Sequence, residues 1–168
     1  QLALAGIDSH FQTKVGDNLD RMVATLELAL SRSDAVICCG GLGPTQDDIT
    51  RPALAEAAGA ALVRHPEIEA ELRDRFRVRG REMPESNLAQ ADVPEPGRYI
   101  RPERGTAPGL VVTVGDATVY AVPGVPYEMQ LMVTEHVVPD LLARGGEHSA
   151  IVSRSLKTWG ASESGLAE

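Results

Sequence analysis

Apolar and polar positions along the chain follow two periods, and each change of period marks an element. From Asp17 onward the apolar residues Leu19, Met22, Val23, Leu26, Ala29 and Leu30 step by three and four, which places them on one face of a helix. Asp17 or Asn18 caps it, since a short polar side chain can accept from an amide that the first turn leaves orphaned. The uncharged run Ala35 to Cys39 predicts a parallel strand buried on both faces. Ahead of these, Ile7 to Val15 alternates, with Phe11, Thr13 and Val15 opposite Gln12 and Lys14, and predicts a short strand. Gln1 to Gly6 reads as the tail of a helix closed by a glycine.

The second half continues the pattern. Thr50 is expected to cap a helix over 51–58, with Pro52 tolerated in its first turn. A third helix runs from about Pro66 to Arg79, with Ile68, Leu72 and Phe76 at spacing four. Five prolines between 83 and 109 predict mostly loop, with one helical turn around Leu88 and Ala89. Leu110–Val114 and Thr118–Val122 bracket Gly115-Asp116 as a hairpin. A helix launched at Pro126 is expected to bend at Pro139, and Ala150 to Leu156 reads as a last strand. The order implies an α/β fold, a three-layer α/β/α sandwich around a mostly parallel sheet. Residues 1–148 form the domain, and 149–168 begin a small following domain or linker. Lacking an initiator methionine, the sequence reads as an excerpt of a longer protein.

Composition narrows the function classes. With 168 residues, 43% of them apolar, the chain can bury a real core without disulfides or a structural metal. A net charge of −8 excludes general affinity for nucleic acid or anionic membrane, because phosphate neutralisation drives both. No run approaches the roughly 18 apolar residues of a membrane span. Cys38 and Cys39 are sequence neighbours inside a strand, so their side chains point to opposite sides; this excludes a structural disulfide and fits a reducing, cytoplasmic setting. The four histidines are scattered without i+3 or i+4 partners, no Gly-x-Ser-x-Gly elbow occurs, and Trp159 is expected to anchor packing.

Candidate chemistry gathers at two glycine-bearing loops, both at carboxyl ends of strands. Gly40-Gly41-Leu42-Gly43-Pro44-Thr45 follows a strand and precedes a helix, where backbone amides can approach a phosphate; a tight turn is the alternative. Asp47 and Asp48 either complement the helix dipole or bind a divalent cation that bridges phosphates. Thr106 and the turn Pro123-Gly124-Val125-Pro126 could line the same mouth. Glu128 is a helix-dipole acid, a metal ligand or a base, and the arginines from Arg73 to Arg81 are a phosphate clamp or a solvated face.

Four segments carry a resemblance. Cys39-Gly-Gly-Leu-Gly-Pro-Thr-Gln-Asp-Asp-Ile-Thr50, then Arg79-Gly80 with Met83 and Asn87-x-x-Gln90-Ala91, then Gly105-Thr-Ala-Pro-Gly109, then Val122-Pro-Gly-Val-Pro-Tyr-Glu-Met129 resemble in order and spacing the CinA family. These are competence/damage-inducible proteins whose N-terminal domain is similar to the MoaB/Mog-like molybdopterin-binding domains. The resemblance implies a pocket built from Gly40, Gly41, Gly43, Asp48, Thr50, Pro123, Gly124 and Pro126, with Thr45 and Glu128 beside it. It also implies metal-dependent hydrolysis of ADP-ribose to AMP and ribose 5-phosphate, with Asp48, aided by Asp47, as the catalytic carboxylate holding Mg²⁺, Mn²⁺ or Co²⁺. Two alternatives stand beside this: a nucleotide- or pterin-binding module without turnover, and an enzyme of molybdenum-cofactor assembly. Relatives of this kind imply a homo-oligomer. Two departures follow: the first strand and a Gly-Thr-Glu-like loop of the family precede Gln1, and a nicotinamide mononucleotide deamidase domain is not in the sequence.

Overall fold

Helix α1 (Leu19–Leu30) begins at Asn18, whose extended backbone lets its side chain accept from the Arg21 amide at 3.1 Å. The computed structural model describes residues 1–145 and 157–160. Within them the strands are β1 (Ala35–Cys39), β2 (Ala61–Arg64), β3 (Asp92–Glu95), β4 (Arg98–Ile100), β5 (Gly109–Val114) and β6 (Ala117–Val122). The further helices are α2 (Thr50–Ala57), α3 (Pro66–Val78), α4 (Pro126–Met132) and α5 (Val138–Gly145). A four-stranded sheet has the order β1-β6-β5-β4, and β2 and β3 form a separate antiparallel ribbon.

Strand alternation divides the core into two. Val119 and Ala121 of β6, with Leu110 and Val112 of β5, face Val23 and Leu26 of α1, Leu54 of α2 and Leu72 of α3. Tyr120 and Val122, with Val111, face Met132, Val133 and Val137 on the opposite side. Period-two strands covered by helices on both faces are a three-layer α/β sandwich, as the pattern predicts. Helix α2 has only eight residues, too few to persist in water alone. Burial holds it: Leu54 is almost wholly enclosed, a contribution of roughly 1.5–3 kcal/mol.

Several expectations change. Among the described residues the main sheet has three pairings and only β1–β6 is parallel, since the two-residue turn Gly115-Asp116 forces β5 and β6 to be antiparallel; the sheet is mixed, not mostly parallel. Gly115 takes φ 59° there, the left-handed conformation that tight hairpins require. β1 is partly exposed, not buried on both faces, because among the described residues it pairs on one side only. Ile7–Val15 forms no strand; its alternating side chains find no sheet partner, and the segment lies exposed with the Arg32 guanidinium 3.8 Å over the Phe11 ring. The opening residues do form a turn, a 3₁₀ segment Ala3–Ala5 closed by Gly6 at φ 73°.

The region 83–109 holds more structure than its prolines predict. A 3₁₀ helix spans Glu85–Ala91, and β3 and β4 follow. Pro94 is accommodated because the β2–β3 ribbon has only two strands, each with an open edge. Ahead of Pro139 the last helix widens into a π turn over Val133–Val137, the local adjustment that a ring without an amide hydrogen calls for. Trp159 is 100% exposed and anchors nothing. The strand expected over 150–156 lies outside the described residues.

Candidate functional site

The two glycine-bearing loops leave the sheet side by side. β1 and β6 run parallel in the register Cys39↔Val122, and the Gly40 amide donates to the Val122 carbonyl at 2.9 Å. Just beyond this pair, a Cβ placed on Gly124 would lie 3.3 Å from the Gly40 Cα, so the loops touch backbone to backbone. This is the carboxyl end of two adjacent parallel strands, the position where α/β sheets bind ligands. Gly40, Gly41, Pro123 and Gly124 are therefore brought together as expected. Pro123 is buried and fixes the turn, while Gly124, Val125 and Pro126 are exposed at its rim.

Inside the first loop the geometry is dense. Thr50 was expected to cap α2, yet Ile49 occupies that place and the Thr50 hydroxyl donates instead to the Gly40 carbonyl at 2.8 Å. Its amide donates to the Gly41 carbonyl at 3.2 Å, so the start of α2 is fastened twice to the loop. Gly41 has φ 67°, and a Cβ there would fall 2.2 Å from the Thr50 Oγ1. Gly43 is equally constrained: its Cβ would fall 2.4 Å from Asp48 Oδ2. That same oxygen accepts from the Thr45 hydroxyl at 2.6 Å and the Thr45 amide at 2.9 Å.

Asp48 is thus the clasp of the loop. Partial burial pushes its carboxyl up, but donors from Thr45 and Gly43 and the Arg51 charge outweigh this and hold it below the ordinary aspartate value. Asp47 is exposed beside it. Beneath the loop lies Arg51, 3% exposed, whose Nη1 donates to the Leu42 carbonyl at 2.7 Å. Burial brings this guanidinium down to about 10, opposed by Asp92 and Asp48, so it stays charged at neutral pH. Gln90 Nε2 reaches the same carbonyl at 3.3 Å, and the Asn87 amide donates to Gln90 Oε1 at 3.1 Å. The residue patterns pointed to no role for this buried trio. The signals available were the Asn87-x-x-Gln90 spacing, which carried resemblance without a role, and Arg51 itself, since a cation in the first turn of a helix runs against the dipole.

Two other expected residues line small clefts. Thr106 lines a cleft of about 10 Å³ against α3, with Ile68, Leu72 and Tyr99, room for about one water. Glu128 is buried, accepts from the Tyr127 hydroxyl at 3.0 Å, and packs its carboxylate where a Cβ on Gly105 would sit. It also lines a second cleft of similar size with Arg101, Arg104 and His136, and neither cleft includes the glycine loop. Three arginines of the run are engaged elsewhere. Arg73 pairs with Glu69, Arg77 with Asp74, and Arg75 donates to the carbonyls of Pro102 and Gly105.

Among the described residues no group of three or more His, Cys, Asp or Glu side chains converges. One oxygen of Asp48 is already taken by Thr45, which leaves too few protein donors for a closed cage. Asp47 and the remaining oxygen of Asp48 are the carboxylate donors at the loop that could hold a cation, and one or two carboxylates suffice for Mg²⁺ only where other oxygen ligands complete its shell.

Comparison with known proteins places this geometry. The family model described as "Probable molybdopterin binding domain" matches residues 1–143. A solved structure, the protein CinA with unknown function from Thermoplasma acidophilum, superposes with TM-score 0.65 at 35% identity, covering 70% of this chain and 69% of that one. The chain belongs to the CinA-like branch of the molybdopterin-binding-domain family. CinA-like proteins of Frankia casuarinae and Gloeobacter violaceus are each 46% identical over 100% of the chain. The chain spans about 40% of the length of those curated relatives. Its glycine loops and Asp48 therefore belong to a CinA-like domain, and among the described residues no helix is long and apolar enough to cross a membrane.

Proposed function

We propose that the mouth between Gly40–Thr45 and Pro123–Pro126 binds the phosphate end of a nucleotide or pterin. The observation that carries this is the meeting of Gly40 and Gly124 at the ends of two parallel strands, which leaves backbone amides room to approach an anion. With an overall charge of −8, an anion needs local attraction, and the buried Arg51 and the loop amides supply positive potential at this mouth. The family's description, a molybdopterin-binding domain, supports a ligand with an aromatic heterocycle and a phosphate.

A finer reading is hydrolysis of ADP-ribose to AMP and ribose 5-phosphate, favoured by the exposed carboxylate of Asp47 next to the Asp48 clasp. Asp47 and Asp48 would hold the divalent cation, Mg²⁺, Mn²⁺ or Co²⁺. When bound there, it would supply Lewis-acid polarisation of phosphorus and a more acidic water. The chain's own part is to bind the diphosphate through the loop amides that are not spent on Asp48 or Val122, with Thr45 and Thr50 holding the loop in shape. Cytoplasmic location and self-association belong to the same proposal.

One experiment separates the readings. The chain is titrated calorimetrically with ADP-ribose with and without each cation, and the mixture is then analysed for AMP. Binding with no AMP supports a binding module; cation-dependent AMP supports the hydrolase. Absence of binding to ADP-ribose, AMP and a pterin phosphate alike would overturn the assignment of the mouth.

A further inference from the structure

Three buried polar side chains converge on one carbonyl behind the glycine loop. The Leu42 oxygen receives Arg51 Nη1 at 2.7 Å and Gln90 Nε2 at 3.3 Å, which uses both of its lone pairs. Asn87 orients the Gln90 amide from behind. Arg51 is 3% exposed and Gln90 1% exposed, and among the described residues the Nε and Nη2 of Arg51 have no hydrogen-bond partner. A site that needed only packing would be filled at lower cost by methionine or leucine, because a buried guanidinium gives up its hydration.

Peptide geometry states what the pinning achieves. The Leu42–Gly43 bond is trans, so a carbonyl drawn inward turns the Gly43 amide the opposite way, toward Asp48. There that amide donates to the Asp48 carboxylate, which clasps Thr45. Among the described residues Nε and Nη2 of the guanidinium have no hydrogen-bond partner, so no bidentate carboxylate cancels its charge beneath the loop, and Asp92 and Asp48 act on it without a direct bond.

We propose that Arg51, seconded by Gln90, is the positioning residue of the glycine loop, holding the Leu42 carbonyl inward so that the Gly43 amide meets Asp48 and the loop keeps its shape. Its ligand arm rests on the anion-binding reading above; its conformational arm does not. Both are read in the full chain with Arg51→Met, Arg51→Lys and Gln90→Leu. Backbone amide exchange followed by NMR is expected to become about tenfold faster at Gly43 in Arg51→Met, and about threefold faster in Gln90→Leu, while α1 and β6 are unchanged. Inorganic pyrophosphate, titrated by calorimetry, is expected to bind about tenfold more weakly to Arg51→Met. Lysine keeps the charge and one donor, so Arg51→Lys is expected to recover most of both losses.

Exchange at Gly43 within twofold of the parent in Arg51→Met, or acceleration spread equally over α1 and β6, would overturn the positioning role. Should Arg51→Met not fold, Gln90→Leu and Arg51→Lys decide it by the same local exchange. If the parent chain does not bind pyrophosphate, the anion reading falls, and exchange at Gly43 still decides the role of Arg51.

Discussion

Replacing Gly41 by alanine adds one carbon atom at the point where the loop and α2 are fastened together. The new Cβ would lie 2.2 Å from Thr50 Oγ1 and 3.3 Å from the Thr50 amide nitrogen, and the residue must hold φ 67°. The left-handed conformation costs an alanine about 1–2 kcal/mol. Displacing the Thr50 hydroxyl forfeits its bond to Gly40, about 1 kcal/mol more. Gly41→Ala should therefore destabilise the chain by about 2–3 kcal/mol, a fall in Tm of about 4–12 °C for a domain of this size. Urea and thermal unfolding followed by circular dichroism measure it. The cause is isolated by a cycle with Thr50→Ala, which removes the obstructing oxygen. In that background Gly41→Ala should cost only the conformational term, a coupling of at least about 0.5 kcal/mol. A cost below about 0.5 kcal/mol for Gly41→Ala, or strict additivity in the cycle, would show that the loop is not held by this contact.

Asp48→Asn keeps the shape of the clasp and loses its charge. If ADP-ribose is hydrolysed, AMP formation should fall at least about tenfold with KM within about twofold, and unchanged turnover would dismiss Asp48 as the catalytic carboxylate. Because the folded Asp48 value lies below its unfolded one, its contribution to stability is present above about pH 4 and is lost as pH falls through the folded value. Urea unfolding from pH 5 down to 2.5 should show a shallower acid limb in Asp48→Asn. His65 behaves oppositely: bonds to Glu67, opposed by slight burial, and then to Glu95 raise its value, so its contribution is complete below about pH 6.5 and is lost as pH rises through the folded value. His65→Gln should flatten that decline between pH 6 and 8.5. Burial, then the neighbouring Cys39, pushes the Cys38 thiol up to about 12, so at pH 8 iodoacetamide should label exposed Cys39 first; equal labelling of the folded chain would refute the placement of the pair.

What the sequence made legible was local. Asn18, the step of α1, the Gly115-Asp116 turn and the paired glycine loops are each specified by residues close in the chain, and each is where the pattern puts it. The errors share one cause, dependence on distant partners. Alternation over Ile7–Val15 is necessary for a strand, but it creates none without a neighbour to pair with. The β2–β3 ribbon was invisible because Pro94 and Pro96 mask a strand whose partner lies some thirty residues earlier. Thr50 looked like a cap because its hydroxyl is the right chemistry, and only the fold shows that Gly40 receives it. Arg51, Asn87 and Gln90 converge on Leu42 from two segments far apart in sequence, so no local window contains their role. Thr106 and Glu128 line small clefts beside α3 and α4, and no short-range pattern shows that placement.

Everything proposed for this domain depends on where an anion binds. Titration of the ¹⁵N-labelled chain with inorganic pyrophosphate, residue by residue, addresses that without choosing a substrate. The account predicts saturable shifts at the amides of Gly40, Gly41, Gly43, Thr45 and Gly124, with α1 and the β2–β3 ribbon silent. Shifts centred instead on the Arg101, Arg104 and His136 cleft, or no saturable shift at all, would contradict it.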